Sequence, residues 1–234
     1  MIFPKSEALR LLDRIADLVL PGKLPSAVEY LYPWNAETLL PKSHSEIRIV
    51  GYGSLMNRKS ALRTFLPETV RSSRPVVVLG ARRIYEYVMS PQGRLVYGPS
   101  SCQRSFGVLN ARPSTHEGDW FNGMEFTLGV EDLQKLVSRE YAYDLVPAWS
   151  IPWEEDNRPP AVSYFLSCRQ STFDGRRTID PQLLPHPTYH AICEEGCREV
   201  SAGFLEAFRT STWVCNARYS ESQEVGIREV ENRS

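Results

Sequence analysis

Six runs rich in β-branched and aromatic residues, with few helical patterns between them, constrain this chain more than any other feature. They are Ile47 to Tyr52, Pro75 to Met89, Arg104 to Ala111, Asn122 to Leu128, Tyr143 to Ile151 and Ala161 to Leu166. A doubly wound parallel sheet needs a helical crossover between successive strands, and that alternation is missing. The pattern predicts an α+β fold: a mixed, largely antiparallel β-barrel or sheet with a few packed helices. Helices are expected from Asn57 to Phe65, from Val130 with Glu131 and Asp132 in its first turn, and from about Thr188 through the Phe208 region.

Ahead of the first strand, residues 1–46 read as an N-terminal extension. Leu9, Leu12, Ile15, Ala16 and Val19 recur at helical spacing, with Ser6 as N-cap and Pro21-Gly22 as a stop, followed by a proline-rich, aromatic wrap. Residues 47–234 read as the main domain. Arg10, Asp13, Arg14 and Asp17 interrupt the only apolar stretch near the start, and no run reaches the roughly 18 apolar residues of a membrane span, so the expectation is a cytoplasmic protein with no membrane partner. The five cysteines, odd in number and unevenly spaced, read as reduced thiols rather than a disulfide framework.

Charge narrows the partners further. Lys+Arg number 27 against Asp+Glu 28, a net charge of −1, so no global field draws the chain to nucleic acid, and no nucleic-acid motif accompanies the arginines. Between Arg58 and Arg112 basic residues dominate, and between Pro113 and Glu199 acidic ones do. That asymmetry fits either mixed solvated faces or a basic face for an anionic ligand.

Two places carry candidate chemistry. The first is Gly51-Tyr52-Gly53-Ser54-Leu55, between the first strand and a helix. It reads either as an ordinary turn capped by Ser54 or as a nest of N–H groups aimed at an anion, with glycine allowing positive φ or the close approach of a ligand. The second is Glu140, which follows Leu136 by four residues and Val137 by three, on the apolar face of its helix. A carboxylate there either swings to solvent or an arginine, or is buried without a cation and shifted toward the range useful for proton transfer.

With these residues in view, the sequence resembles the γ-glutamylcyclotransferase-like proteins, including ChaC-type and AIG2-like members. The resemblance runs over residues 47 to 210. It rests on Tyr52-Gly53-Ser54-Leu55, Gly80-Ala81-Arg82-Arg83, Leu109-Asn110-Ala111-Arg112-Pro113, Gly123-Met124-Glu125-Phe126, Leu136-Val137-Ser138-Arg139-Glu140, and Pro185-His186-Pro187-Thr188-Tyr189 with Ile192 and Gly196. It departs from the family in having Tyr141 after the glutamate where glycine is common. The resemblance implies Glu140 as general acid/base, a substrate-binding turn at Tyr52, Gly53, Ser54 and Leu55, and Tyr189 bordering the pocket. It also implies a small γ-glutamyl substrate, closure to 5-oxoproline, and no metal or organic cofactor.

Rival readings come from the same residues. His186, His190, Cys193 and Cys197 have zinc-ligand chemistry, but their spacing matches no familiar site, and cysteines at helical spacing usually pack as small core residues. No cysteine sits in a glycine-rich turn beside a suitable base, and the turn at Ser54 is not Gly-x-Ser-x-Gly. Tyr141, Tyr143, Trp149 and Trp153 read as core, or as an apolar subsite for the leaving group. A ligand-binding module on the same fold, without turnover, is the alternative to an enzyme.

Overall fold

The computed structural model describes residues 46–219, apart from 99–105, 115, 117, 141–142, 155–157, 159, 169–171, 174 and 216. The expected helix at 6–20, the rest of the extension, Cys102 and Tyr141 lie outside the described residues.

The order of elements begins with β1 (Ile47–Gly51), a 3-10 turn (Ser54–Met56), α1 (Arg58–Ala61) and α2 (Pro67–Ser72). It continues through β2 (Arg74–Leu79), β3 (Ala81–Val88), α3 (Pro91–Tyr97), β4 (Phe106–Pro113), β5 (Trp120–Leu128), α4 (Val130–Arg139), β6 (Asp144–Pro152) and β7 (Ala161–Ser167). The short strands β8 (Thr172–Phe173), β9 (Arg176–Arg177) and β10 (Leu184–Pro185) lead into α5 (Pro187–Val200), α6 (Ala202–Ser211), β11 (Thr212–Val214) and β12 (Ala217–Arg218). The fold is α+β, as expected. Strands β1-β5-β2-β6-β7 close into a barrel, antiparallel except where β1 meets β7, and β10-β4-β3-β11-β12 form a second sheet. No helix among the described residues is long and apolar enough to cross a membrane.

Two expected elements divide. The run from Pro75 to Met89 is two strands, because Gly80 adopts φ +70°, a conformation that side chains resist, and the chain leaves the barrel there for the second sheet. The helix from Thr188 to Phe208 is also two. Ser201 is fully extended (φ −170°, ψ 165°); its N–H closes α5 on Cys197 O, and its hydroxyl caps α6 by accepting from Phe204 N at 3.0 Å. The helix expected over Asn57–Phe65 is regular only from Arg58 to Ala61.

Beside a smaller cluster of Val77, Leu79 and Ile151, one large apolar core joins the two sheets and the helices. Phe204 and Phe208 of α6, Leu133 and Leu136 of α4, and Phe121, Phe126 and Phe165 of the barrel are all fully buried in it. Arg83 sits in the same interior at 0% exposure. Its guanidinium donates to Thr212 Oγ1, to the Asn122 carbonyl and side-chain oxygens, to Phe208 O and to Ser211 Oγ, at 2.6–3.0 Å. Burial pulls its pKa down to about 10, which leaves it cationic near neutrality. The Arg82-Arg83 pair is thus divided in role: Arg82 reaches Asp119 at 2.8 Å near the surface, while Arg83 ties β3 to β5 and α6.

Helix α5 is held against the 3-10 turn. A β-carbon at Gly196 would fall 2.5 Å from Met56 C and Asn57 N, so the helix lies directly on the turn's backbone. Asn57 donates to Glu195 at 3.0 Å, and the Arg58 N–H reaches Glu199 at 3.4 Å. This packing fixes the turn relative to Tyr189 near the start of α5.

Candidate active site

A cleft of about 710 Å³ opens at the end of the barrel where β1 finishes and β6 begins. Ser54 follows β1, Glu140 ends α4, Tyr189 opens α5, and all three line this one cavity. Tyr87, Tyr97, Tyr143 and Arg139 complete its inner wall.

Glu140 is the C-cap of α4, its N–H bonded to Leu136 O at 2.9 Å. Leu133 and Leu136 point into the core, and this draws the last turn inward so that the Glu140 side chain is only 16% exposed. The carboxylate is not the unpaired group allowed for in the sequence. Arg139 Nε lies 2.8 Å from Glu140 Oε1. The same guanidinium donates to Thr64 Oγ1 at 2.5 Å and to Ser54 Oγ at 3.0 Å. Two hydrogen bonds and one ion pair among the described residues hold the guanidinium as a rigid, pre-oriented plane with further N–H groups to offer.

The turn differs from its sequence reading in two ways. Ser54 does not cap the following helix; Asn57 does, its Oδ1 accepting from Ser60 N at 3.1 Å. Ser54 is instead free to accept from Arg139. Gly53 does not take positive φ but has φ −123°. Its requirement is space: a β-carbon would lie 2.2 Å from Tyr189 Oη. The turn's own bonds begin with Met56 N to Gly53 O (2.9 Å) and Asn57 N to Ser54 O (3.1 Å), so the Ser54 and Leu55 N–H groups are not consumed by it.

Tyr52 and Leu55 are placed differently from Ser54. Both side chains are buried outside the cleft: Tyr52 donates its hydroxyl to Leu166 O at 2.6 Å, and Leu55 packs in the core. Any contact they make with a ligand is through the backbone. Burial, reinforced by the charge of Glu140, pushes the Tyr52 phenol well above its ordinary pKa, so it stays a neutral donor. Tyr189 is also raised, by burial first, and its ring stands edge-on to Tyr97 at 5.2 Å and Tyr85 at 6.5 Å. Its hydroxyl lies between the turn and the buried Cys193 thiol.

Of the aromatics considered for a leaving-group subsite, Tyr143 does line the cleft, its ring 4.9 Å from Tyr87. Trp149 and Trp153 do not. Trp149 packs on Val77, Leu79 and Ile151, and Trp153 on Phe204, away from the cleft. Arg139, Thr64, Tyr87 and Tyr97 escaped the sequence reading. Arg139 adjoins Glu140 in the chain and was legible as a neighbouring charge, whereas Tyr97 lies on a seven-residue helix with no periodic signal.

The residues with zinc-ligand chemistry are otherwise occupied. His190 Nδ1 is 2.7 Å from Tyr85 Oη, and its Nε2 faces Tyr219 and Glu194. His186 caps α5 through Nδ1, and Cys193 and Cys197 are fully buried, with thiols that burial pushes upward, Cys197 to about 12. Among the described residues no group of three or more His, Cys, Asp or Glu is arranged to hold a metal.

No protein-family model and no curated protein matches the chain. Among solved structures it is similar to YkqA of Bacillus subtilis, at 14% identity and a TM-score of 0.48, over 70% of this chain and 53% of that one. The chain therefore spans about half the length of that protein. It is similar also to a yeast γ-glutamyl cyclotransferase specific to glutathione (14% identity, TM-score 0.44, 70% and 96% of the two chains). A third is At5g39720.1 of Arabidopsis thaliana (15% identity, TM-score 0.38, 72% and 92%).

Proposed function

We propose that this chain is a γ-glutamyl cyclotransferase, which closes the γ-glutamyl group of a small amide onto itself and releases 5-oxoproline and a free amine or amino acid. The observation that supports the reading is the convergence of the Ser54 turn, Arg139-Glu140 and Tyr189 in one cleft, from segments far apart in sequence. The reaction asks for a base, a site for an oxyanion and a clamp, and these residues supply one of each.

The substrate's α-ammonium lies against Glu140, which takes a proton from it. The freed amine attacks the γ-carbonyl carbon, and negative charge develops on the carbonyl oxygen. The N–H groups of Ser54 and Leu55, at the turn that runs from Tyr52 through Gly53, stabilise that charge. Collapse of the tetrahedral intermediate breaks the original C–N bond while Glu140 returns its proton to the leaving nitrogen. The remaining N–H groups of the Arg139 guanidinium hold the α-carboxylate, and Tyr189 closes the wall beside the turn. Because nucleophile and electrophile belong to one molecule, most of the acceleration comes from holding a reactive conformer, for which effective molarities reach about 10⁵ M or more.

Incubation of the protein with γ-glutamyl amino acids, γ-glutamyl amines and glutathione, followed by quantification of 5-oxoproline, tests the proposal. Formation of 5-oxoproline in stoichiometric yield with the released amine is the expected result. Binding of these compounds with no 5-oxoproline from any of them makes the chain a ligand-binding module instead.

A further inference from the structure

The end of the barrel opposite the active cleft holds a second cavity of about 460 Å³, within the range of small-ligand sites. Its floor is Glu125 of β5. Ser163 Oγ of β7 and Ser150 Oγ of β6 both donate to Glu125 Oε1, at 2.5 and 3.0 Å, and the two hydroxyls are 2.8 Å apart. Strand β5 is adjacent to neither β6 nor β7, so these bonds cross the barrel interior. The two serines are 3% and 2% exposed. Glu125 itself is half-buried, so its carboxylate loses part of its hydration, and two hydroxyls on one oxygen replace only some of it. Oε2 accepts no hydrogen bond among the described residues.

The rim carries the opposite charge. Arg48 of β1 and Arg74 of β2 line the same cavity with exposed side chains, and neither forms an ion pair with Glu125. Arg158, which has a partner of its own, adds a third positive charge. The cavity is thus polarised along its depth: a negative floor with one open acceptor oxygen, then a positive rim. A simple anion meets repulsion at the floor, and a simple cation meets it at the rim.

We propose that this barrel mouth binds a small amino-carboxylate, with its ammonium on Glu125 Oε2 and its carboxylate on Arg48 and Arg74. The site lies at the far end of the barrel from Glu140 and is independent of the reaction proposed there.

The test is titration of the full chain with β-alanine and with glutamate, alongside propionate and propylamine as single-function controls, followed by calorimetry and amide chemical shifts. Both amino-carboxylates are expected to bind at least about tenfold more tightly than either control. The shifts should centre on Arg74, Thr127 and Ser150. Glu125→Gln keeps an acceptor for both serines and preserves the fold, yet should weaken β-alanine at least about tenfold, as should Arg74→Ala. The proposal is overturned if no probe binds, if propionate or propylamine binds as well as β-alanine, or if Glu125→Gln binds like the parent. Shifts centred on Ser54, Tyr97 and Glu140 also overturn it, since they assign the ligand to the active cleft.

Discussion

At Gly53 a β-carbon would fall 2.2 Å from the Tyr189 hydroxyl oxygen but 3.4 Å from the ring carbon that bears it. The first distance is a collision and the second an ordinary contact, so one oxygen atom decides what position 53 tolerates. Gly53→Ala alone should cost about 1–3 kcal/mol, the usual penalty for overpacking a filled interior, and lower kcat/KM at least about tenfold. In the Tyr189→Phe background the same change should cost under about 1 kcal/mol, a coupling that chemical denaturation of the four proteins in a double-mutant cycle measures directly. Additive costs would mean that the hydroxyl is not what excludes a side chain. Tyr189→Phe alone should reduce cyclotransferase turnover while shifting Tm by no more than a few degrees, because the ring keeps its packing on Tyr85 and Tyr97. Ser54, Glu140 and Tyr189 were legible in the sequence as residues of a short ordered series of motifs. The arginine that joins Glu140 to Ser54 was not, because nothing in one-dimensional spacing says that a helix-terminal guanidinium turns inward.

Helices α5 and α6 meet through Glu194, which is 4% exposed and receives Arg198 and Arg209, each at 2.7 Å, with His190 at 3.5 Å. Burial alone would raise this carboxyl. Hydrogen bonds from His190 and Arg209 outweigh burial and bring it down to about 2, from an ordinary 4.5. A depressed folded-state pKa gives stability that is fully present above the unfolded value and is lost as pH falls through the folded one. The window therefore runs from about pH 4.5 down to about 2, and the contribution at neutrality is of the order of 3 kcal/mol. Urea unfolding at pH 7 and pH 3 should show Glu194→Gln clearly less stable than the parent at the higher pH and the difference much reduced at the lower. A pH-independent difference would contradict the ion-pair account. At this scale the sequence revealed most long strands and missed the breaks. Gly80 and Ser201 each look tolerable inside a run, and only the change of sheet at one and the dual capping at the other show why the chain turns there. The barrel order β1-β5-β2-β6-β7 was not legible, since its pairings join strands distant in sequence and leave no local trace.

Across the whole molecule, Arg83 links the barrel to the second sheet and to α6 through five hydrogen bonds with no carboxylate among the acceptors. The motif containing it was visible in the sequence, yet its role is architectural rather than catalytic. Arg83→Met should fill comparable space while leaving several buried acceptors without donors, and so lower stability by about 3 kcal/mol or more, with residual activity per folded molecule largely intact. Loss of activity at unchanged stability would place Arg83 in the chemistry instead. The architecture that Arg83 secures brings Glu140 to the cleft, and Glu140 is the centre of the functional account. Its most direct test is 5-oxoproline formation by the parent and by Glu140→Gln on the best γ-glutamyl substrate, with melting temperature measured on the same preparations. Equal folding and at least about a 100-fold fall in turnover are expected, the scale of a positioned general base. Near-parental turnover by a folded Glu140→Gln protein would contradict that role.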